Sequence, residues 1–133
     1  MQPPHRVVVG VDTSPESAAA LGWALTVGGA LGGYVTVVHA VGLLEEGGYR
    51  PRPDLGAFVD DCRREIGGPL PSIDELFEDG PAADVVVRVA ERQGADLIVI
   101  GRRGLGQAAH LLGSVSEAVL ERSRVPVVVV PAP

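Results

Sequence analysis

Asp96-Leu-Ile-Val-Ile-Gly-Arg-Arg-Gly-Leu-Gly-Gln-Ala-Ala-His-Leu-Leu-Gly-Ser-Val-Ser116 is the stretch whose reading decides the fold. Its apolar run, Leu97 to Ile100, has the continuous branched character of a strand buried on both faces. Gly101 stops the run, Gly104 and Gly106 follow, and Gly113-Ser114 opens a helix that reads as Ser114 to Arg124. A strand that runs into a glycine loop and then a helix N-terminus is how chains build anion cradles. Glycine lets the backbone approach a ligand closely, and the free N–H groups of the first helical turn face negative charge. The stretch points to a phosphate-bearing ligand held mainly by main chain.

The same alternation extends outward in both directions. Arg6 to Val11 is a second run buried on both faces, ended by Asp12. Ser14-Pro15-Glu16 is a helix start, with Ser14 as N-cap and Pro15 in the first helical position. That helix runs to about Gly28–Leu31, is rich in Ala and Gly, and stops at Gly32-Gly33. Tyr34 to Ala40 is a strand, and Gly42 to Pro53 is loop by composition. Leu55, Phe58, Val59, Cys62 and Ile66 recur at helical spacing. Ser72 to Asp79 holds the weakest signal, a short edge strand at Ile73–Phe77 whose acids would blunt pairing. Pro81 to Gln93 is a helix with Gly94 just beyond it, and Pro126 to Val130 is the last strand. Five strands alternating with four helices predict a single domain over residues 1–133, a doubly wound α/β sandwich on a five-stranded parallel sheet. Ligands of such sheets sit beyond the carboxyl ends of the strands, where the strand order reverses. Gly10-Val11-Asp12 and Gly101 onward are the strand ends that fit such a place.

Composition bounds the function. A net charge of −6 excludes a general nucleic-acid binder, which would carry a basic patch. All eleven basic residues are arginine, so no P-loop lysine and no lysine Schiff base exist here. No apolar run approaches the roughly 18 residues of a membrane-spanning helix, so no membrane is expected. No signal peptide is visible, and one cysteine fits a reducing cytoplasm.

Five segments together resemble the universal stress protein family. They are Val7 to Ser17, the strand that ends in His39, Ala95 to Gly101, Leu112 to Ser116 and Val125 to Val130. The resemblance implies a Rossmann-like fold of the adenine nucleotide alpha hydrolase type, strand order 3-2-1-4-5, and a homodimer through the strand at residues 126–130. It implies ATP, with Mg2+, as ligand of a cytoplasmic stress-response regulator or sensor. Carried over by residue, Asp12 lies near the ribose and the nucleotide-bound metal. Gly10 and Val11 flank the adenine pocket, and Ala40 stands at the adenine edge. Gly101, Gly104, Gly113, Ser114, Val115 and Ser116 form the phosphate cradle. The family's ATP-binding branch has nine residues between the second cradle glycine and Gly-Ser; this chain has eight, Leu105 to Leu112. Three readings stay open: ATP binding across a tighter turn, AMP or cyclic AMP as ligand, or a nucleotide-free interaction protein.

Other residues invite blander readings. Ser114 and Glu117 match a capping box, which is compatible with an anion site. Arg102 and Arg103 point to opposite sides of an extended stretch and read as solvated charge, as does His110. His39 reads as a hydrogen-bonded structural histidine and Cys62 as a buried apolar thiol. No Gly-x-Ser-x-Gly elbow and no cysteine beside a base are present, so no catalytic residue is expected, with weak ATPase or autophosphorylation the remaining catalytic alternative.

Overall fold

Val7, Val8 and Val9 divide their side chains between two cores, and that division sets the layers of the fold. The computed structural model describes residues 5–41, 52–102 and 112–132. Its elements are β1 (Arg6–Gly10), α1 (Pro15–Ala30), β2 (Tyr34–Val41), α2 (Leu55–Arg64), β3 (Ser72–Asp79), α3 (Ala82–Gln93), β4 (Leu97–Gly101), α4 (Ser114–Arg122) and β5 (Val127–Val130). The five strands are all parallel, in the order β3-β2-β1-β4-β5. The expected doubly wound sandwich, with β1 and β4 adjacent, is therefore the observed one.

Val7, Val9, Val35, Val37 and Val99 pack against Leu21, Ala24 and Leu25 of α1 and Leu55 and Val59 of α2. Val8, Val38, Ile98 and Ile100 face Val85, Val86, Val89 and Ala90 of α3 and Val119 of α4. Each such branched side chain contributes roughly 1.5–3 kcal/mol when removed from water, so both faces of the central strands favour one register. Gly10 marks how close the second layer comes. A Cβ there would lie 2.7 Å from Val86 Cγ2.

Boundaries shift where tertiary contacts overrule local signals. β3 is not the short strand expected but pairs with β2 through eight positions, Tyr34↔Ser72 to Val41↔Asp79. Its acids do not disrupt that ladder, and one of them, Glu78, pairs with Arg88 and Arg92 of α3. Ile66 lies beyond α2, whose C-cap is Glu65, yet still packs on the α1 core. α4 ends at Arg122, since Ser123 is extended and its hydroxyl bonds with Val125. β1 stops at Gly10, although the Val11 N–H still donates to the Val38 carbonyl at 3.0 Å.

At the amino ends of the strands Asp96 ties β1 to β4. One carboxylate oxygen accepts from the Arg6 N–H at 3.0 Å and the His5 N–H at 3.2 Å. The Arg6 bond, then the His5 bond, holds this carboxyl below its ordinary range. A depressed carboxyl stabilises the fold above its unfolded pKa of about 3.9 and loses that effect as pH falls through the folded value. Asp96→Ala should cost about 1 kcal/mol at pH 7 in urea unfolding, and the gap to wild type should narrow below about pH 4. A gap unchanged at pH 3 would refute the clamp. Gly10→Ala should destabilise by about 1–3 kcal/mol, and Val86→Ala should relieve part of that loss in the double variant.

Candidate functional site

The chain turns sharply where β1 ends. Thr13 has φ +65°, a conformation that branched residues rarely adopt. Hydrogen bonds on either side hold it. Asp12 Oδ1 accepts from the Ser14 N–H at 2.9 Å, the Thr13 hydroxyl donates to the Asp12 carbonyl at 2.6 Å, and the Asp12 N–H donates to Ser17 Oγ at 3.3 Å. Ser14 Oγ accepts from the Ser17 N–H at 3.1 Å, which makes Ser14 the N-cap expected from sequence. Asp12 is exposed, with one carboxylate oxygen fixed by this turn. The roles of Ser17 and Thr13 were not read from sequence. Asp before Ser-Pro signals a turn, but not which residue takes the positive φ.

β4 delivers the second part of the site. Gly101 ends it against the first turn of α1, where a Cβ would lie 3.0 Å from the Glu16 backbone. The start of α4 is pinned to the same point. The Gly113 N–H donates to the Arg102 carbonyl at 2.9 Å, and the Ser116 hydroxyl lies 2.8 Å from the Gly101 carbonyl and 2.9 Å from that of Arg102. Ser116 is buried, and its hydroxyl fastens helix to strand.

The capping box does not form. Gly113 is the N-cap, extended at φ −71° and ψ 161°, and its carbonyl accepts from the Glu117 N–H at 3.0 Å. Ser114 is consequently the first helical residue, and no side chain caps α4. The anchor to Arg102 fixes the helix start one residue earlier than the side-chain pattern suggests. The first-turn N–H groups of Ser114, Val115 and Ser116 have no helical acceptor. They carry the positive end of the α4 dipole.

The third part is main chain from β2. Even-numbered residues of β2 turn their peptide groups toward β1, as the bonds Tyr34 N–H to His5 (2.7 Å) and Val11 N–H to Val38 (3.0 Å) record. Odd-numbered residues turn toward β3, as in Ser72 N–H to Gly33 (3.2 Å) and Gly80 N–H to Val41 (3.1 Å). Ala40 therefore faces the β1 side beyond the end of β1. The Val11 carbonyl, next in line for its N–H, accepts from His39 Nδ1 instead, at 2.9 Å. Among the described residues no hydrogen bond takes up the Ala40 N–H or carbonyl on that side.

Gly10, Val11, Asp12, Ala40, Gly101 and Gly113 to Ser116 thus lie at the carboxyl edge of three neighbouring strands, β2, β1 and β4. Gly10 and Val11 also have packing duties, Gly10 against Val86 and Val11 in the α1 core. Gly104, Arg103, Gly106, His110 and the 42–51 part of the loop lie outside the described residues. His39 is the hydrogen-bonded residue expected. Cys62 is half-buried, and burial raises its thiol pKa first, with Glu65 and Asp61 adding to it. Among the described residues no group of three or more His, Cys, Asp and Glu could hold a metal. No hydroxyl or thiol there bonds to a His, Asp or Glu side chain. No helix of the described residues is long and apolar enough to cross a membrane.

The chain is similar to known proteins along most of its length. The universal stress protein family model matches residues 4–131. Universal stress protein Rv2005c of Mycobacterium tuberculosis is 35% identical over 134 residues, which cover 92% of this chain and 44% of that protein. The chain thus spans under half the length of that relative. Among solved structures, a universal stress protein in complex with cAMP is 29% identical, with a TM-score of 0.76 over 99% of this chain and 100% of that one. Protein Rv1636 of M. tuberculosis is 30% identical, with a TM-score of 0.62 over 98% of this chain and 97% of that one. With its sheet order, its crossovers and a family match that spans nearly every residue, the chain belongs to the universal stress protein family.

Proposed function

We propose that this chain binds an adenine nucleotide at the carboxyl edge of β2, β1 and β4, and serves as a cytoplasmic stress-response sensor or regulator. The observation that carries this reading is the joint opening at that edge. The Ala40 main chain, unpaired on that side among the described residues, offers a donor and an acceptor to a base, and the first turn of α4, uncapped among the same residues, offers N–H groups to a phosphate. The 29% identical relative in complex with cAMP supports it. One sheet supplies the whole site, so a single domain over residues 1–133 is part of the same reading.

ATP with Mg2+ and a nucleotide of smaller phosphate load, AMP or cyclic AMP, are the two ligand readings. Asp12 suits a metal that arrives on a triphosphate: its carboxylate is exposed and oriented by Ser14, and among the described residues it stands outside any cage of protein ligands. The eight residues between Gly104 and Gly113 favour the smaller nucleotides, which need less of the cradle. The site holds its ligand without turning it over, because phosphoryl transfer needs a positioned nucleophile beyond the cradle. Binding would shift conformational populations or the choice of protein partner.

The two sheet edges differ in a way that favours a homodimer. β3 carries Asp74, Glu75, Glu78 and Asp79, charges that discourage edge pairing. β5 is Val127–Val130, four valines with no charge. The bonds Ile98 N–H to Pro126 (2.9 Å) and Arg102 N–H to Val130 (2.8 Å) put the even-numbered carbonyls of this strand on β4. Val127 and Val129 therefore point their peptide groups outward, ready to pair with a second copy across a two-fold axis.

Isothermal titration should show binding of at least one of ATP-Mg, AMP and cyclic AMP. Asp12→Asn keeps the acceptor for Ser14, so it should weaken ATP-Mg by about tenfold and leave cyclic AMP nearly unchanged. No heat and no thermal shift with all three would refute nucleotide binding. Val129→Pro removes one outward N–H and spares the β4 ladder. In sedimentation velocity it should convert dimer to monomer, and an unchanged dimer would refute pairing through β5.

A further inference from the structure

His39 decides how far the β1–β2 ladder runs. The bond from the Val11 N–H to Val38 is followed, in a regular parallel ladder, by one from the Ala40 N–H to the Val11 carbonyl. Here that carbonyl accepts from His39 Nδ1 at 2.9 Å. A carbonyl oxygen only accepts, so Nδ1 carries the proton. The ring also makes a T-shaped contact with Phe77, with centroids 5.8 Å apart. Phe77 in turn lies under the Arg52 guanidinium, 5.0 Å from its ring centre.

We propose that His39 is a positioning residue of the nucleotide site, which keeps the Ala40 main chain open for the base by occupying the Val11 carbonyl. The identity of the occupant rests on the adenine-nucleotide reading above. Ala40 turns its N–H and its carbonyl the same way, so donor and acceptor stand in a fixed order. Adenine presents a ring acceptor, N1, beside an amino donor, N6. Guanine presents the reverse at the same two places, N1–H beside O6. A base set with its ring nitrogen at the Ala40 N–H is therefore read as adenine, and guanine meets donor with donor and acceptor with acceptor. Without the imidazole donor, the carbonyl of the buried Val11 has the Ala40 N–H as its next partner. The ladder then closes over the place where the base binds.

Amide hydrogen exchange by NMR on the nucleotide-free protein, joined to titrations with AMP and GMP, tests this. In the wild type the Ala40 amide should exchange fast and the Val38 amide, inside the ladder, slowly. His39→Phe keeps a ring against Phe77 and removes the donor. It should slow Ala40 exchange by about tenfold or more, weaken AMP by about tenfold, and shrink the preference for AMP over GMP. His39→Asn places an amide donor near the position of Nδ1 and should restore both the fast exchange and the preference. A purely structural histidine would move stability but neither Ala40 exchange nor base preference. A protected Ala40 amide in the wild type overturns the proposal, as does a His39→Phe protein that folds with exchange and preference unchanged. A wild type that binds none of AMP, ATP-Mg and cyclic AMP overturns the proposed function, while the exchange rates still decide whether His39 holds the ladder open.

Discussion

Parallel strands all end at the same edge of a sheet, and at β1 and β4 the chain leaves that edge in opposite directions. From β1 it passes to α1 over one face, and from β4 it passes to α4 over the other. Two neighbouring strands whose continuations part cannot cover the space between their ends. Everything that distinguishes the site follows from this parting. The positive dipole end of α4, the turn at Asp12 and the end of β2 converge on the same gap because right-handed crossovers leave them no other arrangement.

Holding such a gap in shape falls to small residues and short bonds. Gly101 admits the α1 backbone where any side chain would meet it, which brings the first turn of α1 against the end of β4. Ser116 and the Gly113 N–H tie α4 back to Gly101 and Arg102, so the chain leaves and re-enters at one point. Main-chain groups then face the opening. That suits a protein without lysine: peptide N–H groups at a helix start supply positive potential whose position is fixed by the fold, where a long flexible cation would lose entropy on binding.

Most of the fold was legible because buried parallel strands write themselves as β-branched runs, and Val7-Val8-Val9, Val35 to Val38 and Leu97 to Ile100 leave little choice. β3 was the weak strand in sequence for a physical reason. As an edge strand it packs mainly through Ile73, Leu76 and Phe77, while its acids serve edge protection and the Arg88 and Arg92 pairs. The candidate site was legible in its glycines and in Asp12. It was less so where a hydrogen bond chosen by tertiary structure decides the role. Ser114 matches a capping pattern, but the anchor of Gly113 on Arg102 moves the helix start. Ser116 resembles a ligand hydroxyl, but two carbonyls at the end of β4 surround it. Gly10 looks like a ligand-facing glycine, yet Val86 already requires it. None of these competitors lies near its residue in sequence, so no local pattern could reveal them.

Thr13 acts on the same peptide edge as His39, from the other strand. Had β1 continued as a strand, the Thr13 N–H would have met the Ala40 carbonyl, as the Val11 N–H meets that of Val38. At φ +65° the chain turns away instead. A branched residue in that region costs on the order of 1–3 kcal/mol, and it persists only where surroundings over-determine it. The bonds from Ser14, Thr13 and Asp12 around the turn do so. The two devices act on the two halves of one peptide edge: the imidazole removes the acceptor that would close the Ala40 N–H, and the turn removes the donor that would close its carbonyl. Either alone would leave a half-closed ladder with a single free group, which could not read the order of donor and acceptor on a base. Strain at Thr13 and the bond from His39 are thus two requirements of one opening, and relief of the first by glycine would make the turn easier without altering the second.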